Sequence, residues 1–334
     1  MKRIPESVAA IVAACAAIAG VPAMAQEDEG RWSIAIHGGA GTLDRADMTP
    51  ERDAAYRASL QAALDAGKAV LAGGGSALDA IEAVVTRLED DEKFNAGRGA
   101  VFTWDGTHEL DAAIMDGRDR AAGAIAGVIG VRHPIMLARK VMTDSPHVML
   151  AGEGAEEFAH EQGVEFMPPE WFDTDARREA LERMKAEKLS ALDVDIKFGT
   201  VGAVALDTHG NLAAGTSTGG MTGKRWGRIG DAPVIGAGTY ADNDSCAVSA
   251  TGWGEFFIRV GVARTICLRM QMRGEDAQTA SDAVIAEVGA MGGDGGVIVV
   301  APSGDAVFSM NTTGMYRGRA TSEGLDEVAI YGDE

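Results

Sequence analysis

Gly199-Thr200 stands where a charged stretch, DVDIKF, gives way to an apolar one, TVGAVALD. A threonine hydroxyl is a poor nucleophile until a base takes its proton, and no histidine or cysteine is placed by pattern to do so. A threonine at a newly made N-terminus solves the problem alone. Its α-amine, with an ordinary pKa of ~7.7–8.0, is partly neutral at physiological pH and lies beside its own hydroxyl. That route requires the preceding peptide bond to be cut, and glycine at 199 permits the strained backbone such a cut needs. Taken alone, a Gly-Thr pair is more often just the start of a strand.

Other chemical patterns fail on context. Gly215-Thr216-Ser217-Thr218-Gly219 fits G-x-S-x-G, and HGGAG (37–41) suits an oxyanion loop. In that hydrolase fold the triad histidine follows the serine, whereas all six histidines precede Ser217. The glycines of 236–241 fit a loose dinucleotide fingerprint, but DNDSCAV follows where a helix should begin. Gly223-Lys224 lacks the upstream glycine and following Ser/Thr of a phosphate loop. There is no CxxC, HExxH or His/Cys cluster to support a zinc site.

These residues must be positioned by elements the pattern foretells. WSIAIH (32–37) reads as a strand running into a tight glycine turn. Residues 51–72 and 76–89 read as helices. In the second, Ser76 caps, and Ala77, Ile81, Val84, Val85 and Leu88 share one apolar face. A loop follows at 94–100. Strands are expected at 109–116 and 123–131, the second buried on both faces, and helices at 134–142, 152–162 and 173–190. The charged run 173–198 offers little to bury and reads as a solvated helix plus linker. After Thr200 the texture becomes strand, turn, strand (200–207, 208–211, 212–220). Further strands are expected at 233–241 and 245–251, helices at 253–271 and 275–288, and a closing hairpin at 295–302 and 306–312. Sheets packed on each other with helices outside follow from that order.

The 334 residues are 46% apolar and 24% charged, an ordinary globular balance with no composition break between separate cores. Fifty acidic against 30 basic residues give a formal charge of -20, a field that repels phosphate backbones and argues against nucleic-acid binding. Lys2 and Arg3, the apolar stretch 7–23 and Ala23-Met24-Ala25 form a secretory signal pattern cut after Ala25. A membrane anchor is the bland alternative, but the stretch is barely long enough and holds Gly20 and Pro22. A lipoprotein site at Cys15 would leave an apolar tail after the lipidated residue. Removal of the signal leaves Cys246 and Cys267, which form either a pair or two buried thiols.

HGGAGTL (37–43), FNAGRGAVFTWDGTHELDAAIMDG (94–117), GTVGAVALDTHGNLAAGTSTGGMTGK (199–224), GRIGDAPVIGAGTYADN (227–243), SATGWGE (249–255) and GGDGGVIVV (292–300) occur in that order. Together they resemble the plant-type asparaginase/isoaspartyl aminopeptidase family, over essentially all of residues 32–318. The resemblance implies an α/β fold of the N-terminal-nucleophile hydrolase type, an αββα sandwich. It implies self-cleavage between Gly199 and Thr200, giving an α subunit of 26–199 and a β subunit of 200–334 within one domain, paired as an (αβ)2 homodimer. Thr200 matches the nucleophile, and Thr218 the threonine that hydrogen-bonds it. Arg228 and Asp231 match the pair that grips the substrate's α-carboxylate and α-amine, Thr251 and Gly252 the oxyanion donors, and Asn95 an asparagine that assists the site. The segment from Leu88 to Arg98 matches a loop that binds a structural sodium ion through backbone carbonyls, here those of Leu88, Glu89, Asp91, Phe94, Ala96 and Arg98. No organic cofactor is implied.

The residue types agree with that chemistry. Arginine offers a fork to a carboxylate and aspartate answers an ammonium. A hydroxyl and a backbone N–H can stabilise the oxyanion of amide hydrolysis. Trp226 stands where relatives often have proline, and Trp253 at a variable position. Both neighbour matched residues and bear on leaving-group preference. The substrate is then a small molecule or dipeptide, asparagine or a β-aspartyl peptide, met outside the cytoplasm without stable membrane insertion. The rivals are a glycosylasparaginase on the same scaffold and an exported amino-acid-binding protein that uses Arg228 and Asp231 without chemistry.

Overall fold

The computed structural model describes residues 30–41, 43, 45–187 and 199–334. The signal pattern at 1–25, its cleavage point, Cys15 and the linker part of the charged run lie outside them.

The first half supplies β1 (Ser33–Gly41), α1 (Pro50–Ala72), α2 (Ala77–Asp90), β2 (Leu110–Asp116), β3 (Ala122–Val128), α3 (Pro134–Asp144), β4 (Met149–Ala151), α4 (Gly152–Glu161) and α5 (Asp175–Ala186). The second supplies β5 (Val201–Leu206), β6 (Leu212–Thr218), β7 (Thr239–Asp242), β8 (Cys246–Gly252), α6 (Gly254–Val260), α7 (Val262–Arg273), α8 (Ala277–Ala290), β9 (Gly295–Val300), β10 (Ala306–Met310), β11 (Gly314–Thr321) and β12 (Asp326–Tyr331).

The strands form two sheets. The larger runs β12-β11-β1-β5-β6-β2-β3-β4 and the smaller β10-β9-β8-β7. The sheets pack face to face, β1 and β5 meeting β8 and β9. Helices α1, α2 and α3 cover the outer face of the larger sheet, and α7 and α8 that of the smaller. The period-2 side-chain alternation makes this work. Val201, Ala203 and Ala205 of β5 enter the core under α1–α3, while Val204 and Leu206 face the smaller sheet. Four layers, αββα, result.

Several expectations need correction. The glycines after His37 do not turn the chain: β1 continues through them with a bulge between His37 and Gly39, pairing with β11 on one side. Residues 233–238 are no strand; they turn back through the Val234 and Gly238 amides, both donating to the Asp231 carbonyl. The helix expected at 253–271 is two, broken at Gly261, whose φ of 63° is left-handed and suits glycine. The hairpin β9–β10 does not close the chain, because β11 and β12 follow and β11 pairs directly with β1. The described part of the charged run is not all solvated: on α5, Arg177, Leu181 and Met184 are buried, and Arg177 donates to the Gly99 carbonyl at 2.9 Å.

Cys246 and Cys267 form a disulfide between β8 and α7, which closes the alternative left open above. Ser76 caps α2 as expected, accepting from the Asp79 amide at 3.2 Å.

Candidate active site

The site lies between the sheets, where β5 begins. Thr200 immediately precedes the strand, and its hydroxyl donates to Thr218 Oγ1 at 3.0 Å. Thr218 ends β6, beside β5 in antiparallel register, so adjacent strands bring the two hydroxyls onto one face. The Gly220 amide donates to Thr218 Oγ1 at 3.0 Å, which fixes that oxygen.

Gly199 is enclosed by backbone. A Cβ at Gly39, whose φ is 113°, would lie 2.5 Å from the Gly199 Cα, and a Cβ at Gly199 itself would lie 2.7 Å from that of Asn95. Only glycine at both positions lets β1 and the 94–100 loop close on this junction. Asn95 is the clamp. Its amide donates to the Gly199 carbonyl at 3.0 Å and its own carbonyl accepts from the Gly219 amide. Its Nδ2 donates to the Gly220 carbonyl at 2.7 Å, and its Oδ1 accepts from the Val101 amide at 2.9 Å. The assisting role expected of Asn95 therefore divides: the backbone touches Gly199 and the side chain braces the end of β6.

Thr251 is fully buried on β8 and its Oγ1 accepts from the Ala40 amide at 3.3 Å. Ala40 follows Gly39, so Thr251 stands one residue beyond the Gly39–Gly199 contact. Gly252 ends β8, where a Cβ would lie 2.5 Å from the Asp294 carbonyl oxygen.

Arg228 and Asp231 converge, but not as a simple pair. Both prongs of Arg228, Nε and Nη2, donate to the Glu255 carboxylate at 3.0 Å. Asp231 is 7% exposed, and its Oδ2 finds no hydrogen-bond partner among the described residues. A Cβ at Gly254 would lie 2.9 Å from Asp231 Oδ1 and 3.0 Å from Arg228 Nη2, so the glycine leaves room where carboxylate and guanidinium approach. Burial pushes the Asp231 carboxyl up to about 7, against the opposing pull of Arg228. A buried carboxylate in that state is costly until a cation meets it.

Charge and hydroxyl groups that sequence reasoning passed over complete the surroundings. Glu255 was quoted within SATGWGE without a role. Lys224 is buried, its Nζ donating to the Glu109 carbonyl at 2.9 Å and standing 3.9 Å from Asp111 Oδ2. Asp111 faces Thr218 across β2 and β6, and burial raises its pKa. His37 entered the sequence argument within a discounted motif and within HGGAGTL, without a role, yet its Nδ1 lies 2.9 Å from the Thr200 carbonyl oxygen. Motif membership was the available signal for His37, Lys224 and Glu255. Their partners lie 27 to 163 positions away, and no local pattern shows them.

The 88–98 loop brings main-chain carbonyl oxygens close to two glycines. A Cβ at Gly97 would lie 2.4 Å from the Glu89 carbonyl oxygen, and one at Gly99 would lie 2.0 Å from that of Phe94. Glycine at both positions lets these carbonyl oxygens, the donor type hard cations take, approach the backbone closely. The Leu88, Asp91 and Ala96 carbonyls also accept turn hydrogen bonds, each keeping a second lone pair. Arg98 sends its side chain away, toward the Trp171 ring.

Residues 30–330 match the asparaginase family. The chain belongs to that family. It is 47% identical to an isoaspartyl peptidase of Escherichia coli strain K12, over 90% of this chain and 97% of the relative. It is 42% identical to a probable isoaspartyl peptidase/L-asparaginase of Arabidopsis thaliana, over 90% and 99% of the two chains. It is also 42% identical to the human isoaspartyl peptidase/L-asparaginase, over 84% and 91%. The family is of the N-terminal-nucleophile class, and the αββα sandwich expected of that class is the architecture observed. Among the described residues no helix is long and apolar enough to cross a membrane.

The two tryptophans separate. Trp226 is 93% exposed in a left-handed turn, with the Arg225 guanidinium 5.2 Å from its ring centroid. Trp253 is half-buried, meets Phe256 edge-on with centroids 4.9 Å apart, and directly follows Gly252.

Proposed function

We propose that the chain hydrolyses β-aspartyl (isoaspartyl) dipeptides and L-asparagine through Thr200, freed by cutting the Gly199–Thr200 bond. The observation that carries this is the junction itself: a threonine hydroxyl fixed by a second threonine, behind a glycine whose carbonyl already accepts the Asn95 amide. In maturation, Thr200 Oγ attacks the Gly199 carbonyl carbon while the Asn95 N–H stabilises the developing oxyanion. The peptide C–N bond breaks, leaving an ester and the free Thr200 amine, and water hydrolyses the ester to the Gly199 carboxylate.

In turnover, the new amine takes the Thr200 hydroxyl proton as Oγ attacks the substrate's side-chain carbonyl. Thr251 and Gly252 serve as oxyanion donors. The amine returns the proton to the departing ammonia or amino acid, and water releases aspartate from the β-aspartyl ester. Arg228 receives the α-carboxylate, which displaces Glu255, and Asp231 receives the α-ammonium, the cation its buried oxygen lacks. A sodium ion held by the 88–98 carbonyls would stiffen the loop that carries Asn95. Two cut protomers assemble as (αβ)2. Export after removal of residues 1–25 accords with the Cys246–Cys267 pairing, since disulfides persist in oxidising compartments.

A denaturing gel with N-terminal sequencing tests the reading. Two fragments are expected, the smaller beginning Thr-Val-Gly-Ala-Val, and Thr200→Ala should stay whole and inactive. A fully active single chain overturns it, and a non-catalytic binding protein would give only that uncut chain.

A further inference from the structure

Between the sheets runs a line of buried polar groups that the mechanism above does not use. His37 of β1, Gly202 of β5 and Thr216 of β6 align across three neighbouring strands, and Ser249 of β8 reaches them from the opposite sheet. His37 Nδ1 lies 2.9 Å from the Thr200 carbonyl oxygen, and its Nε2 lies 2.8 Å from Ser249 Oγ. Ser249 Oγ lies 2.7 Å from Thr216 Oγ1. Thr239 Oγ1 lies 2.7 Å from Thr216 Oγ1 and 3.0 Å from the Ala232 carbonyl oxygen. All four side chains are fully buried.

The chain has one polarity. A backbone carbonyl only accepts, so His37 Nδ1 carries the proton. The fully buried ring is neutral, its pKa lowered to about 3 by desolvation, so Nε2 must accept and Ser249 donates to it. Ser249, with its proton spent, accepts from Thr216, and the single Thr239 proton is shared between Thr216 Oγ1 and the Ala232 carbonyl oxygen, which can only accept. Space has been kept for this line. A Cβ at Gly202 would lie 2.1 Å from Ser249 Oγ and 2.5 Å from His37 Nε2. Its far end meets the Asp231 loop through Thr239, whose hydroxyl lies 3.0 Å from the carbonyl oxygen of Ala232, the residue after Asp231.

We propose that His37, Ser249, Thr216 and Thr239 are positioning residues, a hydroxyl–imidazole chain that holds the Thr200 backbone in register with the loop carrying Asp231. It rests on Thr200 being the nucleophile and base. Fixing the Thr200 carbonyl fixes the rotation about its Cα, and so where its amine stands relative to its own Oγ and to the substrate. The nucleophile precedes β5 and the ammonium anchor lies in the loop before β7, and this line joins them without touching substrate. Misplacement by about 1 Å is enough to cost up to about 100-fold in rate.

The test compares Thr216→Val, Thr216→Ser and Ser249→Ala in the cut protein, with Thr200→Ala as control and fragment content checked on a gel. Thr216→Val keeps the shape and removes the proton Ser249 accepts. The proposal expects kcat to fall about tenfold or more in Thr216→Val and Ser249→Ala with KM changed less than about threefold, and Thr216→Ser to stay within about twofold of the parent. The pH midpoint of kcat on the acid side should also move in the impaired variants, because the base is displaced. Parental kcat in Thr216→Val and Ser249→Ala, or a Thr216→Ser as impaired as Thr216→Val, would overturn it. Should Thr216→Val fail to fold, Ser249→Ala decides on the same criteria. Activity retained by Thr200→Ala instead removes the nucleophile assignment, whatever the other variants do.

Discussion

Asp231 combines burial, an unpaired oxygen and a neighbouring guanidinium, and these set two predictions at the residue scale. A carboxyl held at about 7 is protonated below that pH and cannot answer an ammonium. kcat/KM for asparagine is therefore expected to fall as pH drops through about 7, which a pH profile of the free enzyme reads. The same shift has a sign for stability. The folded state binds this proton more tightly than the unfolded chain, so the group's contribution to stability is present below the ordinary carboxylate pKa and is lost as pH rises through about 7. Asp231→Asn should thus raise stability at pH 8 by an amount on the order of 1–3 kcal/mol, read as a higher melting temperature, while abolishing turnover. A destabilised Asp231→Asn would show the carboxylate to be structurally satisfied. Arg228 gives a third expectation. Its Nε and Nη2 form a two-pronged fork, now spent on Glu255. Lysine keeps the charge but not the fork, so Arg228→Lys should lose at least ~2 kcal/mol of transition-state binding, read as kcat/KM. Equal turnover of N-acetyl-asparagine and asparagine would refute the anchoring roles.

At the scale of elements, the turn from β8 into α6 carries Gly252 and Trp253 together. The Trp253 amide donates to the Asp294 carbonyl at 2.9 Å, so the backbone there is pinned and the indole's place is set by packing on Phe256. If that indole flanks the leaving group, it offers an apolar face to the residue departing from a dipeptide, and ammonia gains nothing from it. Trp253→Ala is expected to lower kcat/KM for β-aspartyl-leucine more than for asparagine, by about 1–2 kcal/mol. Equal losses on both substrates would leave Trp253 a packing role only. β1 makes a related point. Its glycines keep the strand narrow where Gly199 approaches, so an element that reads as a turn is instead the wall of the site.

At the scale of the molecule, the larger sheet interleaves strands from both sides of residue 199: β1 lies between β11 and β5, and β6 pairs with β2. Three of the seven strand pairings in that sheet therefore cross from one proposed subunit to the other. The two fragments should remain together in native size exclusion after the cut and separate only in denaturant, with the apolar core under α1–α3 drawn from both. Fragments that part without denaturant would contradict the single-domain reading.

Much was legible in the sequence because it is local. The 3.6 period gave α2, with Ser76 as its cap, and the turn at 208–211 between two apolar runs gave β5 and β6, since each signal lies within a few positions. The charged-to-apolar switch marked Gly199-Thr200, and motif resemblance assigned Thr218, Thr251, Arg228 and Asp231. What the sequence could not decide depends on contacts across long separations. Residues 233–238 are apolar enough for a strand, but the Val234 and Gly238 amides are taken by the Asp231 carbonyl and those of Gly236 and Ala237 by the Thr239 and Val234 carbonyls. β11 finds its partner in β1, nearly the whole described chain away. Only the folded chain brings His37 beside Ser249, sends the Arg228 fork to Glu255, and buries Asp231 until its proton affinity rises. Hydrogen bonds and desolvation depend on distance in space, and that distance is set by how the two sheets pack.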